Sequence, residues 1–183
     1  GMIEHEYLCS YCDRYKPTFD MARSAIRYRG AVRDVLQLLK YSRQTFLVPD
    51  LLPFLSACVA AHYPRVFFDG VTFVPLYPRK ERERTFNQAR LFAGRLAREL
   101  GLPFLPNCLE RTRYTVTQTE LDAGERRANV RGAFVSRNRK WLDGLTLLLV
   151  DDVMTTGATV DECSRVLKEG GAAGVFVVTV ARG

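Results

Sequence analysis

Apolar positions fall along this chain in two rhythms. Leu147 to Val150 is an unbroken apolar run, which reads as a strand buried on both faces. Ala158, Val160, Cys163, Val166 and Leu167 then recur at helical spacing until Gly170 and Gly171 end the pattern, and Val175 to Val180 is a second buried strand. Strand, helix and strand joined by connections this short predict a parallel, right-handed unit. The earlier chain repeats the alternation. Ala22 to Tyr28 predicts a strand closed by Gly30, and Val32, Val35, Leu36 and Leu39 predict a helix ending at Lys40 and Tyr41, with Lys40 read as a solvated helix end in preference to one that reaches a ligand. Asp50 is the expected cap of a second apolar helix through Ala61, with Pro53 in its first turn. Val71 to Pro75 is a short buried strand, and an amphipathic helix from Phe86 to Leu100 stops at Gly101. Cys58 and Cys163 fall on apolar helical faces and read as core. Residues 107–135 are polar and Thr-rich up to Phe134, with Asp122 and Glu125 at capping-box spacing, and Trp141 reads as packing at a polar-to-apolar boundary. The predicted class is α/β, a mostly parallel central sheet with helices on both faces.

Length and charge sharpen this picture. A chain of 183 residues is one domain able to bury a substantial core. Its longest apolar runs fall short of the roughly 20 residues that cross a bilayer, and no secretory leader pattern opens it, so a cytoplasmic protein without a membrane span is expected. The net charge of +7 is unevenly placed: residues 74–140 hold fifteen Lys and Arg against seven Asp and Glu, and the remainder holds twelve against thirteen. Arginine supplies 22 of the 27 basic residues, and its planar fork matches phosphate oxygens. An anionic ligand, diphosphate or nucleic acid, is therefore expected in the middle third, with a merely solvated basic surface as the alternative.

The candidate chemistry lies where the first strand gives way to its helix. Asp151 and Asp152 follow the apolar run directly, and Thr155, Thr156, Gly157, Ala158 and Thr159 lead into the helix. Backbone N–H groups left without partners at a helix N-terminus can enclose a phosphate. Two carboxylates one loop away can accept hydrogen bonds from vicinal ribose hydroxyls or help hold Mg2+. The arrangement suits a ribose 5-phosphate, whereas an ordinary capped helix would not need two acids and three threonines so close together. Arg79, Lys80, Arg82 and Arg84 are read as a basic loop beyond the strand that ends at Pro75, on the side where open α/β sheets bind ligands.

The string VDDVMTTGAT resembles the phosphoribosyl diphosphate (PRPP) motif of type I phosphoribosyltransferases. That resemblance implies that Asp151 and Asp152 bind the ribose hydroxyls and that Thr155 to Thr159 wrap the 5-phosphate. Purine-salvage members often carry Asp at the place of Thr155, which argues against a hypoxanthine or guanine acceptor. VPLYPRKERERTFNQA is similar to the basic loop of the ComF family, competence-associated proteins of this type, with Thr85 where the family usually has glycine. Gln118, Leu121, Arg126, Asn129 and Phe134 continue the likeness. The family implies a type I phosphoribosyltransferase-like fold over residues 21–183 with a small N-terminal hood over about 21–65. It also implies a Mg2+-dependent transfer of phosphoribosyl to a nitrogen nucleophile, and diphosphate binding by Arg79, Lys80 and Arg84. A mobile loop would bring Arg113, Arg126 or Arg127 to the leaving group, with Asp151, Asp152 and Arg126 assigned to catalysis; the alternative for this segment is a long solvated hairpin with a helix. The other reading is a non-catalytic PRPP-sensing or single-stranded-DNA-handling competence protein on the same fold, with DNA-uptake proteins as partners.

Residues 1–20 carry Cys9 and Cys12 in CSYC, half of a tetrahedral Zn2+ site. A zinc-ribbon remnant, two inert thiols and a redox pair are the alternatives, and the first CxxC of the family's ribbon is missing. No GxxxxGK[ST] or GxGxxG occurs, which leaves a P-loop ATPase or a dinucleotide-binding protein unsupported.

Overall fold

A computed structural model describes residues 15–42, 44–115, 122–137 and 139–183. Cys9, Cys12, Gln118 and Leu121 lie outside these residues. The main sheet has four strands, β1 (Met21–Arg27), β2 (Gly70–Phe73), β5 (Thr146–Met154) and β6 (Gly174–Arg182), in the order β1-β6-β5-β2 and all parallel. A short antiparallel pair, β3 (Leu109–Arg111) with β4 (Phe134–Ser136), stands apart. The helices are α1 (Ala31–Tyr41), α2 (Val48–His62), α3 (Pro78–Arg84), α4 (Gln88–Leu100), α5 (Ala123–Val130), α6 (Arg139–Leu142) and α7 (Ala158–Glu169).

The unbroken apolar run of β5 follows from its central place. Leu148 and Val150 face a core built with α2 and α4, where Leu55, Phe92 and Leu96 are buried, while Leu147 and Leu149 face a second core built with α7. All four are fully buried, and each such side chain contributes about 1.5–3 kcal/mol. Both sides of the sheet are thus covered, as parallel sheets require. Ala89, Ala93 and Ala97 recur along the buried face of α4 with Phe92 and Leu96. Thr45–His62 is an 18-residue stretch apolar enough to cross a membrane by length and composition, with a mean hydropathy of 1.4. Leu51, Leu55 and Val59 belong to the first core, while 28% of the stretch as a whole is buried.

Several local expectations are corrected. β5 does not stop at Val150 but runs through both acids to Met154. Its neighbours differ in length: β2 keeps company with it only to Phe73↔Val150, while β6 continues to Met154↔Arg182. The N-terminal segment read as hood supplies β1, an outer strand of the main sheet. Residues 78–84 form α3 instead of a loop, because Pro78 at the first helical positions presets φ and the run that follows contains no helix breaker. α2 begins at Val48, two residues before Asp50, so Asp50 lies in its first turn and does not cap it. α4 begins at Gln88 behind an Asn87 cap, not at Phe86. Trp141 is 77% exposed and packs into neither core. The capping box of Asp122 and Glu125 is present, and Cys58 and Cys163 are buried.

Candidate functional site

The shorter reach of β2 makes the site. Once the Val74 N–H has donated to the Val150 carbonyl (3.0 Å), β2 leaves, and residues 151–154 have a strand neighbour on one side only. A cleft of about 260 Å3 opens there, at the carboxyl ends of the strands, with Asp151 and Asp152 in its lining. Backbone donors fix the acids: the Asp152 N–H donates to Asp151 Oδ1 (2.8 Å) and the Val153 N–H to Asp152 Oδ1 (2.7 Å).

The two carboxylates are not equivalent. Lys40, at the last turn of α1, places Nζ 3.1 Å from Asp152 Oδ2, with side chains 26% and 15% exposed. This overturns the solvated reading of Lys40. Asp152 is pushed up by burial, but the Lys40 charge and hydrogen bond and the Val153 N–H outweigh this and hold it below the usual carboxylate range. Burial, then the charge of Asp152, drives Asp151 the other way, up to about 8. Lys40 is held above its ordinary value by Asp152. The pair can therefore offer one fixed carboxylate and one that exchanges a proton near neutrality.

The Thr/Gly loop lies beside the acids. Gly157 has φ +82°, a conformation that L side chains rarely adopt, and from it α7 departs without a side-chain cap. Thr155 and Thr159 line the cleft, and the Thr156 hydroxyl accepts from the Ala158 N–H at 3.4 Å. The first turn of α7 thus has N–H groups to give to an anion.

Opposite stand the cations. α3 brings Lys80 and Arg84 into the cleft lining, and Arg126 of α5 lines it as well. Arg79 does not reach it: its guanidinium pairs with Glu83 at 2.9 Å on the exposed side of α3. Arg113 donates to the Asn129 and Arg131 carbonyls (3.0 and 2.8 Å), and Arg127 lies 3.9 Å over the Tyr15 ring. The sequence reading missed Arg111, which is only 9% exposed, lines the cleft and donates to the Thr115 hydroxyl. Burial pulls Lys80 below its ordinary value, and Arg111 and Arg84 add to this by repulsion. An anion would relieve that repulsion. Buried Gln88 Nε2 and Arg111 Nε, both on residues of the lining, have no hydrogen-bond partner among the described residues, which marks them as donors available to a ligand. The only sequence signal for Arg111 was its place beside Arg113 in a basic stretch. Its inward direction follows from the β3–β4 pairing, which is not legible in the residue order.

Thr85 takes up the left-handed conformation, φ +70°, at the end of α3. A branched residue there stores about 1–2 kcal/mol of strain, against a backbone entropy advantage over glycine of about 0.5–1 kcal/mol. Thr85→Gly is therefore expected to stabilise the protein by about 0.5–1 kcal/mol. Urea denaturation monitored by circular dichroism checks this, and a destabilised variant would show that the bond the Thr85 hydroxyl donates to the Arg84 carbonyl outweighs the strain.

Residues 87–183 match the Phosphoribosyl transferase domain family. Competence protein F of Haemophilus influenzae is 32% identical over 181 residues, covering 95% of this chain and 78% of that protein. DNA utilization protein YhgH of Escherichia coli K12 is 32% identical over 183 residues, covering 97% and 79%. Among solved structures, the glutamine PRPP amidotransferase of B. subtilis, complexed with ADP and GMP, aligns with 72% of this chain and 25% of its own at 24% identity and a TM-score of 0.47. The adenine phosphoribosyltransferase of Giardia lamblia, complexed with 9-deazaadenine, aligns with 74% and 70% at 18% identity and a TM-score of 0.47. The acid pair and its Thr/Gly loop fall within the matched domain, and the likeness to the competence proteins extends over nearly the whole chain, so the protein belongs to the ComF family of phosphoribosyltransferase-like proteins.

Proposed function

We propose that the cleft binds PRPP and that the protein transfers its phosphoribosyl group to a nitrogen nucleophile with release of diphosphate. The observation that carries this is that the acid pair, Thr155 and Thr159 of the loop before and into α7, and the cations Lys80, Arg84 and Arg111 line one cleft. The loop would hold the 5-phosphate and the acids the ribose diol, leaving C1 toward the cations. As the bond from C1 to the diphosphate oxygen breaks and the nucleophile bonds to C1, negative charge grows on the departing group. The guanidiniums of Arg84 and Arg111 and the Lys80 ammonium would stabilise it without any protein nucleophile. Arg126, on α5 beside the undescribed residues 116–121, would complete that lining.

Mg2+ fits this donor set in one way. Among the described residues no three His, Cys, Asp or Glu side chains gather as a metal cage, but Mg2+ commonly takes one or two carboxylates together with phosphate oxygens and water. Asp151 and Asp152 would hold it through water when it arrives with the diphosphate, and when bound it would neutralise charge on that group. A role for Zn2+ rests on Cys9 and Cys12.

Thermal melts test the reading. PRPP with Mg2+ at about 100 times its Kd should stabilise the protein by about 2.7 kcal/mol. That is a shift of roughly 5–11 °C, measured against ribose 5-phosphate and Mg2+ alone. Without any shift, the PRPP reading fails.

A second reading is non-catalytic handling of single-stranded DNA. Two cations of the cleft lining lie near aromatic rings, Lys80 5.0 Å from the Tyr114 ring centroid and Arg84 5.8 Å from that of Tyr41, a pairing suited to stacked bases. The relatives' names, competence and DNA utilization, support it. Binding of an oligonucleotide that is steeply salt-dependent and survives loss of the acids would favour it over the enzyme.

A further inference from the structure

The oxygens of the acid pair are already largely committed. Asp152 Oδ1 accepts from the Val153 N–H at 2.7 Å, and Asp151 Oδ1 accepts from the Asp152 N–H at 2.8 Å. Asp152 Oδ2 receives the Lys40 ammonium at 3.1 Å. A divalent ion coordinated by that oxygen would sit in van der Waals range of the ammonium. Two like charges at such separation repel strongly where water is scarce, and both side chains are mostly buried. Arg84, another residue of the cleft lining, acts on the same carboxylate and adds to the positive field there. Lys40 also closes α1, where a cation is favoured by the helix dipole, so its position is supported independently of the acids.

We propose that Lys40 is the resident cation of the acid pair: its ammonium fills the place a divalent ion would take at Asp152, so the protein alone takes up no free divalent metal there. The chain supplies this single positive charge from its own first described helix. The competence-family likeness assigns Lys40 no such part. The assignment extends the PRPP reading, yet its test needs no PRPP.

The probe is Mn2+, titrated into the full chain and followed by its electron paramagnetic resonance signal. Wild-type protein should leave the free-ion signal unchanged into the millimolar range. Lys40→Gln should bind Mn2+ at least tenfold more tightly, and Asp152→Asn added to it should abolish the gain. Lys40→Arg, which keeps the charge, should behave as wild type. Lys40→Met is the second neutral variant, used if the glutamine variant does not fold by circular dichroism. Submillimolar Mn2+ binding by the wild type overturns the assignment, as does a folded neutral variant that binds no more tightly than wild type. A separate arm adds inorganic diphosphate to wild type. If no bound Mn2+ then appears while Lys40→Gln still gains free metal, the PRPP reading fails and the role of Lys40 stands.

Discussion

Replacing both acids, Asp151→Asn with Asp152→Asn, is expected to weaken PRPP binding at least about thirtyfold, because the bond to the charged Asp152 contributes about 1.5–3 kcal/mol, that to the protonated Asp151 about 0.5–1.5 kcal/mol, and both are lost together. The loss should fall on the ribose diol, not the phosphate. The loop from Thr155 to Thr159 has its own donors, and its fixed turn at Gly157 does not depend on the carboxylates. Inorganic phosphate should therefore protect the double variant as it protects the wild type. Isothermal titration with PRPP and with phosphate separates the two contributions. PRPP binding equal to wild type would remove the acids from the site.

The single variants should move stability in opposite directions. Asp152→Asn strands the Lys40 ammonium in a mostly buried place, and breaking a buried pair by removing one partner costs about 3–5 kcal/mol when burial is complete. With partial exposure of both side chains, about 2–3 kcal/mol is expected. Asp151→Asn should instead stabilise near pH 8. The folded Asp151 keeps a proton that the unfolded chain gives up near pH 4, so wild-type stability falls as pH rises from about 4 to about 8 and is level beyond. The two acids titrate as a pair, and the upper step is the one burial imposes on Asp151. Asparagine removes that slope. A gain of at least about 1.4 kcal/mol at pH 8, the equivalent of one pKa unit, corresponds to a melting temperature higher by roughly 3–6 °C. At pH 4 the difference should vanish. For Asp152, whose carboxyl is held low, the contribution is present above its unfolded value and disappears only as pH falls through its folded one. Melting curves of wild type and both variants across this range decide the matter; a uniform offset at every pH would mean that Asp151 is not held protonated.

Much of this architecture could be read from residue order, because burial writes itself into apolar runs and helical spacing. Leu147 to Val150 named the central strand, and Ala158 to Leu167 named the helix that covers it. Boundaries were less legible. A strand was expected to end where carboxylates begin, but the ladder with β6 holds Asp151 and Asp152 in register by backbone bonds that are indifferent to side chains. Charge direction was hidden for the same reason that helices were hidden in the basic segment: Arg79 and Lys80 are neighbours in sequence, yet a helical turn of about 100° between them sends one to Glu83 and the other into the cleft. Lys40 and Arg111 were legible only as members of a helix end and a polar stretch. Their importance comes from contacts over long sequence separations, which no local pattern records.

The pairing of β1 with β6 also bears on how the chain is made. Ser24 and Thr179 meet across a separation of 155 residues, and the Tyr28 N–H donates to the Arg182 carbonyl. During synthesis the first strand must wait, unpaired, until the last has left the ribosome. α1 follows β1, so Lys40 cannot be settled against Asp152 before then. Closure of such distant partners is slow, and an exposed strand edge is prone to mispair meanwhile. Between the synthesis of β1 and that of β6 the sheet would therefore stand open at one margin.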